Sequence, residues 1–228
     1  MVVRWFLDDT RMSQLARDNA ISVSTAYDYR DEAITVLATR SPGLHGALLA
    51  AKAAGYTHVI VDGTVIRTDR SCRPGPTPGV DLWWSGKHHH HGGNIQVVSA
   101  PDGWPLWTSP VRPGREHDTT AARTDPVLLQ CIREWVESGG LALADLGYQG
   151  EAALFRVPAK KPKGGELTED QQAYNAVHSA LRCLGERANS LLKTTFRVLT
   201  RARGCPWRIG DIVAAALVLL HVEHGRTT

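Results

Sequence analysis

The chain lacks most of the features that would set it apart from ordinary globular proteins. Its four cysteines, Cys72, Cys131, Cys183 and Cys205, are widely separated and contain no C-x-x-C pair. That pattern suggests neither a zinc ribbon nor a disulfide framework, and it suits a reducing cytosol. No long hydrophobic run is present: the longest, Ile212 to Val222, is interrupted by His221 and falls well short of the roughly 20 residues that cross a bilayer. The opening MVVRWFLDDTRM has no apolar core followed by a small-residue cleavage site, so no secretory signal is expected. Charge of one sign is also missing: 26 Lys and Arg face 23 Asp and Glu, a net charge of +3. This permits an anionic partner without the strongly basic balance of a pure nucleic-acid module. Repeats and low-complexity tracts are absent apart from the four histidines His88 to His91.

What is present points to an ordinary folded protein. Hydrophobic residues make up 43% and charged residues 21% of 228 positions, enough for one sizeable core with a small accessory module. Residues 10 to 38 read as two short helices separated by Ile21, Ser22 and Val23. Leu15, Ala16, Ile21, Val23, Ala26, Ile34 and Leu37 would form the buried seam, and Ser22 or Ser24 would cap the second helix. This has the form of a helix-turn-helix in which Ser24, Thr25, Tyr27, Asp28 and Arg30 face DNA, and equally that of a plain helical hairpin. A short Ala- and Gly-rich helix follows, and residues 1–52 are taken as one region and 53–228 as a second.

From Thr57 the pattern turns to strands. THVIVDGTVIRT is apolar and β-branched on both sides of Asp62, as expected for a buried strand running into a second one. HGGNIQVVSAPDGWPLWTSPV predicts a hairpin turning at Ala100-Pro101-Asp102-Gly103, and the Pro- and Gly-rich stretch before it predicts a loop. HDTTAARTDPVLLQCIREWVESGG predicts a helix capped by Asp118 or Thr119 and bent near Pro126. LALADLG is a short strand, LFRVPAKK a further candidate strand, and a helix-rich tract and a last packed helix complete an α/β chain.

Two acids sit in this pattern at a cost. Asp62 interrupts an apolar strand and Asp145 ends another, and a buried charge costs several kcal/mol unless it is paired or bound to metal. If the two strands are neighbours, both carboxylates emerge at one edge of a sheet. Glu186 lies on a helical face marked by Leu184, Ala188, Leu191 and Leu192, from which a third carboxylate reaches the other two. Three oxygen donors without His or Cys suit Mg²⁺ or Mn²⁺, and two such ions about 3.5–4 Å apart clamp the oxygens of phosphoryl transfer. Taken singly, Asp62 reads equally as a turn cap, Asp145 as an Asx-turn and Glu186 as a surface residue.

Together, VIVDGTVIRTDR, GKHHHHGGNIQVVSAPDGWPLWTSPVRPGREHDTTAAR, LADLGYQG and LRCLGERANSLLKTTFRVLTR resemble the DDE-superfamily insertion-sequence transposases shared by insertion-sequence-five-like and Harbinger elements. The resemblance covers most of residues 57 to 201. Gly185 stands where that group more often has an apolar residue. It implies an RNase H-like mixed sheet flanked by helices, with the first acid on the first strand, the second on the fourth and the glutamate on a later helix. It also implies an N-terminal DNA-binding helix-turn-helix.

Asp62, Asp145 and Glu186 would then hold two divalent metal ions for cleavage of element-end DNA and strand transfer. The partners would be double-stranded DNA, both terminal inverted repeats and target site, and a second copy of the chain in a homodimer or higher oligomer. The setting would be the bacterial cytoplasm or nucleoid. A metal-dependent endonuclease without strand transfer, and a catalytically inactive or truncated DNA-binding derivative, are the other readings.

His117 and Asp118 resemble a feature beside that group's active site, where Asp118 either reaches metal through water, orients His117, or caps the next helix. Candidate phosphate contacts are Arg112, Arg115, Lys87 with its histidine run, the loop lysines Lys160, Lys161 and Lys163, and Lys193, Arg197, Arg201 and Arg203. Trp83, Trp84, Trp104 and Trp107 are read as packing residues.

Overall fold

In the computed structural model, which describes residues 1–228, the apolar run around Asp62 forms a single ten-residue strand, β1 (His58–Arg67). The expected break into two strands does not occur. Gly63 carries no turn partner and simply continues the antiparallel register, Asp62 opposite Val97 and Gly63 opposite Gln96. Those partners belong to β3 (His90–Ser99), which the hairpin joins to β4 (Pro105–Thr108). The turn closes at Gly103, whose φ of 82° lies where side chains are strained.

Two-residue strands β2 (Trp84–Ser85) and β5 (Arg112–Pro113) also pair with β3, the first inside the stretch read as a loop. On its other edge β1 receives β6 (Leu141–Leu143) in parallel, Ile60 opposite Leu143. The sheet is therefore mixed, ordered β2-β3-β1-β6. LFRVPAKK is not a strand: only an isolated bridge, Leu143 to Arg156, forms there.

Helices cover this sheet. Of the N-terminal ones, α1 (Val2–Asp8) was not evident from sequence, whereas α2 (Met12–Asp18) and α3 (Val23–Ala38) stand where the two short helices were expected. Ser22 caps α3, accepting the Thr25 amide at 3.0 Å. Leu15, Ala16, Ala26 and Ile34 are buried as expected, but Val23 begins α3 on its solvent side and is exposed.

After α4 (Leu44–Ala53), a pair of helices α5 (Asp118–Thr124) and α6 (Pro126–Glu137) bends at Pro126, with Asp125 capping α6. The long helix α7 (Glu169–Thr195) starts at a Thr168–Gln171 capping box, and α8 (Ile209–His224) closes the chain. No helix is long and apolar enough to cross a membrane.

One continuous core holds all of this. Trp5, Phe6, Leu15 and Ile34 of the N-terminal helices belong to the same apolar cluster as Val59, Val61 and Ile95 of the sheet. Phe6 meets Phe196 edge to face, ring centroids 6.1 Å apart. The 52/53 boundary thus falls at the end of α4 and inside a shared core. Trp83, Trp104 and Trp107 are buried packing residues. Val59, Ile60 and Val61 are fully buried, each contributing about 1.5–3 kcal/mol, so the strand that carries Asp62 is held from both faces.

Candidate active site

Because β6 runs parallel to β1 with Ile60 opposite Leu143, the chain leaves β6 two residues later with Asp145 level with Asp62. Asp145 Oδ1 accepts the Gly147 amide at 2.8 Å and caps the 3₁₀ turn Leu146–Glu151, which fixes the carboxylate at the sheet's edge. The Asx-turn reading of Asp145 is thus correct as local geometry, and the residue still faces the other acids.

Asp118 is the third acid brought here. The N-cap of α5 is His117, which makes no side-chain cap bond, so of the roles open to Asp118 the structure removes the helix cap. Asp118 is the first helical residue and points inward. Asn94 Nδ2 donates to its Oδ1 at 2.9 Å, and Lys87 Nζ lies 3.9 Å from its Oδ2. His117 is exposed and lines the same cleft as Asp118.

A chain of buried polar groups supports Asp118 from below. Tyr148, fully buried, donates from its hydroxyl to Gln96 Oε1. Gln96 Nε2 donates to Asn94 Oδ1 at 2.9 Å, and Asn94 donates on to Asp118 and, at 3.1 Å, to the Glu116 carbonyl. Burial, then the charges of Asp118, Asp62 and Asp145, push the Tyr148 hydroxyl well above its ordinary range, so it stays a donor. Asn94 and Gln96 alternate on the same face of β3 in an otherwise apolar strand, a signal that sequence reasoning passed over.

The face of α7 that packs on β1 carries Arg182, Glu186, Asn189 and Lys193. Gly185 lets the helix come close, for a Cβ there would stand 2.6 Å from Ile60 Cγ2. Asn189 Nδ2 donates to Asp62 Oδ2 at 2.8 Å. The Arg182 guanidinium lies between two acids, 2.9 Å from Glu186 Oε1 and 3.9 Å from Asp62 Oδ1. Glu186 is the outermost, its side chain 64% exposed. Lys193 is not a free phosphate contact: its ammonium donates to Thr64 Oγ1 at 2.7 Å and to the Val65 carbonyl at 3.2 Å. Burial lowers its pKa, opposed by Asp62.

The electrostatic result is concentrated on Asp62. Burial raises its carboxyl from 3.8 to about 6, Arg182 opposes the rise, Asp145 and Asp118 add to it, and the Asn189 hydrogen bond partly offsets it.

A cleft of about 1000 Å³ opens beside the acids at Gly63, Gly147 and Asp118, and its wall includes Lys87, His88, His90, Arg115, Arg123 and Lys193. The histidine run divides, because His91 is tied to Asp81 at 2.9 Å while His88 and His90 face the cleft. Arg112 is held by Glu116 through two bonds of 2.9 Å, and Arg115 donates to Thr77 Oγ1 at 2.8 Å.

Lys160, Lys161, Lys163 and Arg197 are exposed, with Lys161 paired to Glu166, Arg201 to Asp69 and Arg203 to Asp9. On α3, Ser24, Tyr27 and Asp28 are exposed and Thr25 half-buried. Arg30 is occupied by Asp31, and its guanidinium lies over the rings of Trp5 and Tyr27.

Comparison with known proteins places these residues in context. A family model described as "DDE superfamily endonuclease" matches residues 61–221, a span that contains all four acids. A 90-residue stretch is 33% identical to the "Probable transposase for insertion sequence element IS702" of Microchaete diplosiphon, covering 38% of this chain and 30% of that relative's length. Among solved structures, a Mos1 transposase paired-end complex with the left transposon end aligns over 92% of this chain and 75% of that one, at 11% identity and a TM-score of 0.24. A Mos1 mariner paired-end complex with Mn aligns over the same shares at 11% identity and a TM-score of 0.26. Scores this low do not establish a shared fold.

Proposed function

Since this chain belongs to the DDE endonuclease superfamily, we propose that it is an insertion-sequence transposase that cuts the ends of its element and joins them to target DNA. The observation that carries this reading is the convergence of Asp62, Asp145 and Asp118 from separate elements on one sheet edge, with Glu186 linked to them through Arg182. The RNase H-like arrangement belongs to the same proposal. It is supported by the order of the acids: first strand, just past the short last strand, later helix.

The donor set suits a divalent cation. All four groups are carboxylates, the oxygen chemistry that Mg²⁺ and Mn²⁺ prefer. Burial first, then the charges of Asp145 and Asp118, raise Asp62 to about 6, and a bound cation would oppose both. Asp62, Asp145 and Glu186 would hold the ions, with Asp118 beside them. Bound there, divalent ions supply charge stabilisation for phosphoryl transfer and make the attacking oxygen easier to deprotonate.

The chain's own residues do the rest. Asn189 fixes one oxygen of Asp62, and the Tyr148–Gln96–Asn94 relay fixes Asp118, so these two carboxylates are held in place before an ion binds. Arg182 keeps Asp62 and Glu186 apart from each other's charge. Lys87, His88, His90 and Arg115 line the cleft where a phosphate backbone would lie, with Lys160, Lys161, Lys163 and Arg197 giving salt-dependent contacts outside it. The exposed face of α3, with Ser24, Thr25 and Tyr27, would read the element end.

The test is cleavage of DNA carrying the flanking inverted repeats, with Mg²⁺ or Mn²⁺. Wild-type protein nicks the element end and joins a pre-cut end to target DNA, whereas Asp62→Asn binds the end and does neither. A fully active Asp62→Asn protein refutes the assignment. Nicking without joining makes the chain an endonuclease on the same site.

A further inference from the structure

A second set of ligand atoms lies outside the acidic cleft, where α4 packs against α6. His45 is the second residue of α4, and Cys131 and Glu134 stand three apart on α6, a spacing that puts both on one helix face. An imidazole nitrogen, the thiol sulfur and a carboxylate oxygen of these residues all lie within 4.8 Å of one another. His45 Nδ1 and Glu134 Oε2 are already 3.3 Å apart. Cys131 is buried, while His45 and Glu134 reach it from the solvent side. The three share a cavity of about 110 Å³ with Leu48, Lys52 and Trp135, and none of its lining residues borders the cleft.

The donor chemistry differs from that of the catalytic acids. Nitrogen and sulfur donors select zinc over magnesium, which takes oxygen ligands and holds its water. Zinc bonds of about 2.0–2.3 Å place tetrahedral ligand atoms roughly 3.3–3.8 Å from one another. The His45–Glu134 pair has that separation already, and side-chain rotations of about 1 Å bring the sulfur to it. Without a metal, the His45–Glu134 contact is a solvent-exposed pair of little worth.

We propose that His45, Cys131 and Glu134 form a zinc site with a water in the fourth position. Its place gives it a role. The N-terminal helices lead into α4, and α6 continues from α5, whose first residue is Asp118. Zinc bound between α4 and α6 ties the N-terminal helices to the wall that presents Asp118 to the other acids.

The experiment titrates the purified full chain, with excess Mg²⁺ throughout to fill the acidic cleft, with Co²⁺ as the spectroscopic probe and then with Zn²⁺ against a chromophoric chelator. The expected result is one equivalent per chain, a near-ultraviolet thiolate-to-cobalt band, and displacement of that band by one equivalent of Zn²⁺. Asp62→Asn leaves it unchanged, Cys131→Ser abolishes the band, and His45→Ala weakens Zn²⁺ binding at least 100-fold. His45 has a side chain 65% exposed, so its loss leaves the fold intact even if Cys131→Ser does not. The proposal is overturned by wild-type protein without the band, by a band that survives Cys131→Ser, by unchanged affinity in His45→Ala, or by loss of binding in Asp62→Asn.

Discussion

Replacing Asp62 by Asn is expected to stabilise the folded chain at neutral pH while abolishing its chemistry. In the fold the carboxyl titrates near 6, against 3.8 ordinarily. At about 1.4 kcal/mol per pH unit this corresponds to about 3 kcal/mol between the two protonation states. The sign follows from the direction. Below 3.8 the acid is protonated whether the chain is folded or not, and it costs nothing. As the pH rises toward 6 the unfolded chain ionises first, so the cost to the fold grows, and above about 6 it is complete. Asn is neutral throughout and keeps an acceptor for Asn189.

Thermal unfolding followed by circular dichroism, in chelator, should therefore show the Asn variant melting about 6–12 °C above wild type at pH 7.5, given about 2–4 °C per kcal/mol for a chain of this size. The gap should close toward pH 4. Added Mg²⁺ should narrow it at pH 7.5, because a ligand stabilises only the protein that binds it. Equal or lower stability of Asp62→Asn at pH 7.5 would show that Arg182 and Asn189 already compensate the charge, and would refute the reasoning.

Four further outcomes follow from the same geometry. Arg182→Ala removes the strongest influence holding the Asp62 carboxyl down, so the pH below which metal affinity falls should move above its wild-type value near 6; calorimetric Mn²⁺ titration across pH measures it. Gly63→Ala sets a methyl against the Asp118 carboxylate and should lower Mn²⁺ affinity about 10- to 100-fold by displacing it. Tyr148→Phe leaves Gln96 Oε1 buried without its donor and should cost about 1–3 kcal/mol in urea unfolding. Glu186→Gln should lose nicking while keeping the wild-type melting temperature within about 2 °C, since an exposed side chain contributes little to the fold; full activity would remove Glu186 from the site.

The legible parts of the sequence were those whose signal is local. The turn sequence Ala100–Gly103 marks the hairpin, Pro126 marks the bend between α5 and α6, and Ser22 marks the start of α3, because turns and caps are decided by a few adjacent residues. Asp62 and Asp145 stood out because a charge inside an apolar strand needs a reason. Pairing between distant segments left no such trace. β2 and β5 have two residues each and exist only because β3 offers them an edge, while LFRVPAKK has strand composition but makes only one bridge. For Asp118 the cap stands in the sequence beside a role at the metal site, because any Asp before a helix can cap it. Its inward turn is set by Asn94, more than twenty positions earlier.

Glu186 shows why a candidate ligand on a helix is the hardest to find. On α7 its neighbours do not distinguish it from a surface glutamate, and its side chain is indeed mostly exposed. What gives it a place is the helix's approach to β1. Gly185, which departs from the pattern of the resembling group, allows that approach: any side chain at 185 would meet Ile60 and lift α7 from the strand. Lifting the helix would separate Asn189 from Asp62, Lys193 from Thr64, and Arg182 from its position between the two carboxylates. The glycine and the three polar residues therefore form one device, and the glutamate is placed by them. Arg182 shares its charge between Asp62 and Glu186, so the buried Asp62 carboxyl stays above its ordinary range, and the proposed cation would bring it down.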